Sequence, residues 1–305
     1  MTGPRGEGWA ADPSGARPGR PDEPDELAET AGRVRAALEE IFGRIAPIGA
    51  AFAAQRRACL AAGTELTPDR LTGVREIIWR QLGLLPSADG AGIVAAPGVV
   101  AGRERHLEWW QRTASGDDAS EGYSRIRLNL DPESIDLYDY LDMDWFTVPR
   151  ADGRRYVYGP YIDFSGADRS ILAMTIPVLD PAAGDARGGA GGGGHGEGSG
   201  AHGDSRGGAG EGGHGEGSGA HGEFLGVVGA DIRMSHLEPA LLAILRGPAG
   251  PAVLVTAERR VLAANTPRWI PGTRLDRLPR PGEAGFTAVR EIGADSGWLL
   301  AVSHS

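Results

Sequence analysis

The sequence predicts an α+β protein in which a long N-terminal helix packs on two antiparallel sheets. Three observations lead to this fold class. Apolar side chains recur every three or four residues over 25–46, which is the spacing of one helical face. Apolar runs bounded by turn residues, typical of strands, occupy much of 93–232. After the Gly/Pro-rich turn at 247–250 a further set of short strands begins, which indicates a second, smaller lobe.

The N-terminal third is predicted to form a helical, amphipathic stalk over 23–86, preceded by a disordered Gly/Pro/Arg-rich tail over 1–22. Pro47 is expected to kink or end the first helix, because proline lacks an N–H and clashes with the preceding turn. Thr67 followed by Pro68 indicates the N-cap and first position of a second helix. Such a stalk must pack on the sheet, on a second copy of the chain, or on both.

Residues 87–246 are predicted to form the larger lobe. Its strands are expected, in chain order, over 93–100, 106–110, 124–130, 155–161, 171–178 and 224–232. Asp131 and Pro132 are expected to begin a short helix before the fourth of these strands. The helical period places Tyr138 and Trp145 on one face of that helix.

A Gly/His-rich insert is predicted over 181–222, between the last two strands of the larger lobe. One eleven-residue sequence occurs at 193–203 and again, identically, at 212–222. We favour a disordered loop, because no core repays the backbone entropy of so many glycines. A weak metal-binding tract is the alternative, since four histidines lie here. The flanking strands should still pair, because long surface loops cost little to close.

The smaller lobe is predicted over 247–305 and consists of two hairpins. The first covers 252–264 and turns at 257–259, and the second covers 286–303 and turns at 294–296.

Composition excludes several classes of function. A net charge of −10 disfavours nucleic-acid and anionic-membrane partners, and no apolar run reaches the roughly 20 residues of a membrane span. All 31 basic residues are arginine, which excludes Schiff-base lysines and P-loops. No nucleophile elbow, zinc spacing or dinucleotide fingerprint occurs, so we expect no enzyme, cofactor or metal. The single Cys59 and the absence of an apolar signal sequence over 1–20 predict a cytoplasmic location.

Several segments resemble the double Cache family of sensor domains, and the resemblance extends over 25–305. It is clearest at 144–146 (DWF), 156–163 (YVYGPYID), 172–178 (LAMTIPV) and 224–232 (FLGVVGADI), with a typical hairpin at 253–265. The resemblance implies two PAS-like lobes, of which the larger holds a ligand pocket. Amino-acid-binding members carry Arg-x-Trp-Tyr, then Tyr-x-Asp, then an aspartate in Gly-x-Asp-Ile.

The matched positions form the candidate ligand-binding site. Trp145 matches the Trp and Phe146 takes the Tyr place, whereas Met143 stands where the family has arginine. The remaining candidates are Tyr161, Asp163, Asp231, Tyr138 and Asp144. The group that would bind an α-carboxylate is therefore replaced, while the aromatic faces and carboxylates that suit an ammonium are present.

Each assignment has a structural alternative. Trp145 fits a core position as well as a pocket wall, and Asp163 fits a strand-ending turn because Ser165 and Gly166 follow it. Asp231 lies within an apolar strand, where an acid is costly unless it is paired or functional.

The function that the resemblance implies is a stand-alone, soluble sensor or binding protein for a small amine or an amino-acid-like metabolite. A homodimer or a separate signalling partner would contact the N-terminal helix. The alternatives are a hydrolase that uses Asp163 and Asp231 as acid and base, and a partner-binding protein with a degenerate pocket.

Overall fold

The computed structural model describes residues 26–113, 122–163, 169–180, 222–248 and 250–304. The predicted N-terminal tail and residues 181–221 of the predicted insert lie outside these ranges, as do the insert's four histidines.

A single long helix, α1 (Glu26–Ala61), begins the described chain. It continues through Pro47, so the expectation that this proline could end the helix is wrong. Ile45, Ile48 and Phe52 on either side are almost fully buried. Their packing compensates for the one helical hydrogen bond that proline cannot donate.

The second helix forms where Thr67 and Pro68 indicate it. A 3₁₀ turn (Pro68–Leu71) leads into α2 (Thr72–Leu84), and Thr67 before it is extended, without a side-chain capping bond. Val74, Ile78 and Leu82 form the buried stripe of α2. Neither helix is long and apolar enough to span a membrane, and the same holds for every other helix in the described ranges.

The first sheet has six strands in the order β3-β2-β1-β6-β5-β4, and every neighbouring pair is antiparallel. The strands are β1 (Ala88–Ala95), β2 (His106–Arg112), β3 (Tyr123–Arg125), β4 (Tyr156–Asp163), β5 (Arg169–Asp180) and β6 (Glu223–Arg233). The longest pairing joins β5 to β6 as far as Asp180 and Glu223, directly beside the insert. The predicted pairing of the strands that flank the insert is thus confirmed.

The segment between β3 and β4 differs from the prediction. β3 ends at Arg125 instead of continuing to 130, and no helix begins at Asp131. The Asp131 carboxylate accepts a hydrogen bond from the Glu133 amide, and the Asp131 carbonyl accepts one from the Ser134 amide. These bonds close a local turn, which competes with helix formation.

Helical structure starts later in this segment, as a 3₁₀ turn (Tyr140–Asp142) followed by α3 (Asp144–Asp152). Helix α3 ends at Gly153, which adopts the left-handed conformation with φ 63°. Trp145 and Phe146 therefore lie on a helix that covers the sheet, as the sequence predicts for Trp145.

The second sheet has four strands in the order β8-β7-β10-β9, again all antiparallel. The strands are β7 (Ala252–Val255), β8 (Val261–Ala264), β9 (Phe286–Glu291) and β10 (Leu299–Ser303). Helix α4 (Met234–Leu245) joins β6 to this sheet. The architecture is α+β, with one long helix and two antiparallel sheets, and the predicted fold class is confirmed.

Helix α1 packs against both sheets and organises the main core. Its approach to the first sheet is close at Gly49, where a Cβ would lie 3.1 Å from Val228 Cγ2. Arg155, just before β4, donates hydrogen bonds of 2.6 and 2.7 Å to Glu39 of α1 and one of 2.6 Å to Asp295 of the second sheet's β9–β10 turn. Its guanidinium also lies 4.4 Å from the Phe42 ring centroid.

Candidate functional site

A cavity of about 900 Å³ lies on the face of the first sheet that points away from α1. Aromatic and aliphatic side chains, two carboxylates and two neutral polar groups line it. The described lining residues are Val94, Leu107, Trp109, Gln111, Ile126, Leu128, Asp136, Tyr138, Met143, Trp145, Tyr158, Tyr161, Ile162, Ala173, Thr175 and Asp231. Its volume is in the range of small-molecule sites.

Strand alternation places Asp231 in this cavity. In β6 the neighbouring residues Ala230 and Ile232 are fully buried in the core against the helices. Asp231 points to the opposite face, because successive strand residues alternate sides, and it is half-buried. The apolar run around Asp231 thus belongs to the core side, and its carboxylate belongs to the cavity side.

Three glycines allow Trp109 to lie across the sheet beside Asp231. Gly92 is the register partner of Trp109, and Gly90 is the register partner of Asp231. A Cβ on Gly90 would lie 2.6 Å from Trp109 Nε1, and one on Gly229 would lie 3.4 Å from Trp109 Cη2. Any larger residue at Gly90 would therefore have to displace the indole from the cavity wall.

A β-bulge brings two tyrosines to the same wall. Tyr158 and Tyr161 are three residues apart, and regular alternation would place them on opposite faces. The β4–β5 register shifts between them, and Gly159 adopts φ 108° within the shifted segment. As a result both rings line the cavity, with centroids 5.4 Å apart.

Trp145 completes the aromatic wall from α3. It is 8% exposed and packs in the aromatic cluster above the sheet, 6.3 Å from the Tyr140 ring. Tyr140 is held in place because its hydroxyl donates to the Ala95 carbonyl and accepts from the His106 amide. Trp145 is thus both part of the core and part of the cavity wall, so its two interpretations are compatible.

A second acid, Glu108 of β2, lies on the opposite face of the sheet and is fully buried. Arg75 Nε donates to it at 2.6 Å, and Trp110 Nε1 donates at 3.0 Å. His106 Nε2 and Arg125 Nη2 lie 3.7 and 3.5 Å from its carboxylate. Burial alone would raise the pKa of Glu108, but His106, Arg75 and Arg125 outweigh it and lower the pKa to about 2.

Comparison with known proteins identifies the fold. No family model matches the sequence, and no curated protein matches it. The sensory domain of the Campylobacter jejuni chemoreceptor Tlp3, solved with isoleucine bound, aligns with a TM-score of 0.53 at 12% identity, over 92% of this chain and 90% of that one. The extracellular domain of the protein mmHK1S-Z3 aligns with a TM-score of 0.51 at 13% identity, over 92% of this chain and 95% of that one.

The chain has the double Cache fold. In this fold the cavity lies in the larger lobe, which contains the six-stranded sheet, and the four-stranded sheet forms the smaller lobe.

The predicted cytoplasmic location is contradicted by the comparison, because the aligned domain of mmHK1S-Z3 is an extracellular one. The single Cys59 misled the prediction. It is a buried core thiol, and a chain that builds its core from apolar packing does not need a disulfide in any compartment.

Five of the eight predicted site residues line the double Cache cavity. They are Trp145, Tyr161, Asp231, Tyr138 and Met143. Met143, where the resemblance in sequence would place an arginine, is 37% exposed. The described lining residues include no arginine or histidine.

Two predicted residues do not line the cavity. Phe146 is fully buried between the Tyr140 and Phe224 rings, at 5.2 and 5.6 Å. It follows Trp145 on a helix, where neighbours point about 100° apart, so only one of the two reaches the cavity. Asp144 is exposed in the first turn of α3, where an acid favourably meets the helix dipole.

Asp163 occupies the last position of β4, where its backbone pairs with that of Arg169. The side chains of both residues lie outside the described part of the structure. Its binding role therefore stays a prediction.

Several cavity residues were missed by sequence reasoning. Trp109, Gln111, Asp136, Thr175 and Tyr158 line the cavity but are not among the predicted site residues. The period-2 pattern of β2 carried a signal for Trp109 and Gln111, since both alternate with the buried Glu108. No group of three His, Cys, Asp or Glu side chains suited to a metal occurs in the ranges that the structure describes.

Proposed function

We propose that this double Cache chain is a sensor or binding domain whose ligand is a small organic amine. The observation that carries the proposal is one cavity lined by two carboxylates and five aromatic rings. The rings are those of Trp109, Tyr138, Trp145, Tyr158 and Tyr161. Aromatic faces attract cations, and carboxylates accept charge-assisted hydrogen bonds from ammonium groups.

The two acids have different places in the proposed complex. Asp231 is half-buried in the centre of the sheet, beside Trp109 and opposite Ala173. Asp136 is exposed in the turn segment at the cavity's edge. A charge-assisted bond gains strength where water is excluded, so we assign the ammonium to Asp231 and a steering role to Asp136.

Met143 supports a ligand without an α-carboxylate. The Tlp3 domain shares this fold at low identity and is solved with isoleucine, an α-amino acid, bound. Here the position that the double Cache resemblance associates with carboxylate binding carries a thioether. A carboxylate beside Met143 would lose hydration without gaining a cation. The proposed ligand is therefore an amine with an apolar body.

A thermal-shift screen of small amines, α-amino acids and carboxylates tests the proposal, since ligands raise the melting temperature by mass action. We expect amines to give the largest shifts. For the best amine, Asp231→Asn should weaken affinity about 10- to 100-fold, because a hydrogen bond to a charged group contributes about 1.5–3 kcal/mol.

The matched control is Asp136→Asn, which removes the same charge from the cavity's edge and should weaken affinity less than Asp231→Asn. Stabilisation by carboxylates alone would contradict the amine ligand. Turnover of a stabilising compound would instead favour the hydrolase alternative.

The proposal includes a second protein chain that responds to ligand binding and contacts helix α1. Helix α1 contacts both sheets, so it is the element through which a change at β5 and β6 would reach a second chain. Light scattering coupled to chromatography, with and without the best amine, would measure whether the chain dimerises.

A further inference from the structure

Positive charge is concentrated in one segment of an acidic protein. The arginine segment, residues 259–280 of the smaller lobe, contains six arginines and one acid, Asp276, and so carries a net charge of +5. The whole chain carries −10, so the remaining residues carry −15. The net charge of the whole chain disfavours an anionic-membrane partner, but it does not describe this surface.

Two of these arginines lie directly opposite each other. Arg260 and Arg274 are paired in an isolated antiparallel bridge, and both are exposed. Like charges in directly opposite positions destabilise such a pair. Each side chain bonds a carbonyl, Arg260 to Gly272 and Arg274 to Glu258, which leaves further guanidinium N–H groups for an anion.

Acidic neighbours do not neutralise the segment. Of its six arginines, only Arg280 forms an ion pair within the described ranges, at 3.9 Å to Glu283. Arg268 lies over the Trp269 ring and donates to the Ser303 hydroxyl. The positive charge of the segment is therefore available to an anionic partner.

The apolar side chains of the segment indicate which partner. Ile270 is 63% exposed and Leu278 is 37% exposed. Thr273 donates backbone and side-chain hydrogen bonds to the Ile270 carbonyl, in the turn directly before Arg274. Trp269, the aromatic residue of the segment, is buried in a stack on Phe286 at 5.7 Å. Nucleic-acid surfaces offer exposed aromatics for base stacking, whereas aliphatic side chains among arginines suit the headgroup region of a bilayer.

We propose that the arginine segment docks on an anionic phospholipid bilayer, with arginines on the phosphates and Ile270 inserted among the headgroups. Arginine binds phosphate through paired N–H groups. The surface lies in the smaller lobe and is independent of the amine cavity in the larger one.

Vesicle co-sedimentation of the full chain tests the proposal. We expect the protein to bind phosphatidylcholine vesicles that contain phosphatidylglycerol, and not pure phosphatidylcholine, with binding that weakens as salt rises. The variant Arg260→Gln/Arg274→Gln should bind about 30-fold more weakly, since each arginine at an anionic surface contributes about 1 kcal/mol. Ile270→Ser should also weaken binding, although the charge is unchanged.

The matched control is Arg80→Gln/Arg150→Gln, which removes the same charge from exposed sites in the rest of the chain. It should bind as the unsubstituted protein does. Equal loss in the control would overturn the proposal in favour of a bulk-charge effect. Sedimentation without vesicles, or no binding to the anionic ones, would overturn it as well. Circular dichroism of each variant checks that it is folded.

Discussion

Each face of the six-stranded sheet carries an acidic side chain, and the two side chains differ in burial and in surroundings. On the helix face, Glu108 is fully buried and receives hydrogen bonds from Arg75 and Trp110. On the other face, Asp231 is half-buried in the wall of a 900 Å³ cavity among aromatic rings. Glu108 is enclosed by its hydrogen-bond partners, whereas Asp231 lies in a cavity wall that a ligand can reach.

This difference shows how one sheet can serve both stability and binding. Alternation along β2 and β6 separates the two functions residue by residue. Packing is dense where α1 covers the sheet, and glycines on the other face, such as Gly229 opposite Gly92, leave room for Trp109 and the cavity. The comparison predicts that substitutions on the two faces have separable effects on stability and on ligand binding.

The largest expected effect lies at Phe146, which marks the limit of the cavity. Because Phe146 is fully buried between Tyr140 and Phe224, Phe146→Ala should reduce the free energy of unfolding by about 3–5 kcal/mol. Urea denaturation followed by circular dichroism measures this loss. Phe146→Leu, which keeps most of the volume, should cost much less. A near-neutral Phe146→Ala would show that this ring borders the cavity after all.

The second effect concerns Glu108 and pH. Its pKa is lowered from 4.5 to about 2 in the folded state, so the folded state binds the proton less readily than the unfolded state does. The ionised Glu108 therefore stabilises the folded state fully above pH 4.5, and this stabilisation is lost as pH falls to about 2. It amounts to about 3 kcal/mol of unfolding free energy.

Urea denaturation at a series of pH values in that window should reveal this loss in the unsubstituted protein. Glu108→Gln should be destabilised near neutral pH and should lack this part of the pH dependence. The control is Glu104→Gln, because the Glu104 side chain is 61% exposed. If the unfolding free energy of Glu108→Gln fell with pH in parallel with that of the unsubstituted protein, Glu108 would not be the source of the pH dependence.

The smallest effect concerns the link between the two lobes. Arg155 joins Glu39 of α1 to Asp295 of the second sheet, but all three side chains are partly exposed. Arg155→Ala should therefore cost about 1 kcal/mol of unfolding free energy. Arg154→Ala is the matched control, since Arg154 bonds only to the nearby Asp152 in the described structure, and it should have no measurable effect. Equal behaviour of the two variants would remove Arg155 from the contact between lobes.

Much of the fold was predictable because its signals are local. The helical spacing of apolar residues from Leu27 to Ile45 predicts α1. The apolar runs on either side of the insert predict β5, β6 and their pairing. The turn at Asp131 was mistaken for a helix start, because an aspartate that bonds the amide two residues later looks the same in sequence as an N-cap.

The candidate site was predictable only in part. Trp145, Tyr161 and Asp231 fall in segments that resemble the double Cache family, and all three line the cavity. Trp109 was missed because its position depends on Gly229, which is far away in sequence and lies two strands across the sheet, beyond Gly92. Tyr158 was not predicted, because the bulge that turns it toward the cavity has no reliable sequence signature.

Calorimetric titration with three matched probes tests the central claim most directly. 2-Phenylethylamine, phenylalanine and 3-phenylpropionate share one apolar body and carry an ammonium, both groups, and a carboxylate, respectively. We expect the amine to bind most tightly, phenylalanine more weakly, and 3-phenylpropionate not at all. Met143→Arg should shift the preference towards phenylalanine, because it supplies a cation for the carboxylate. Tighter binding of 3-phenylpropionate than of the amine to the unsubstituted protein would contradict the claim that this cavity recognises an ammonium group.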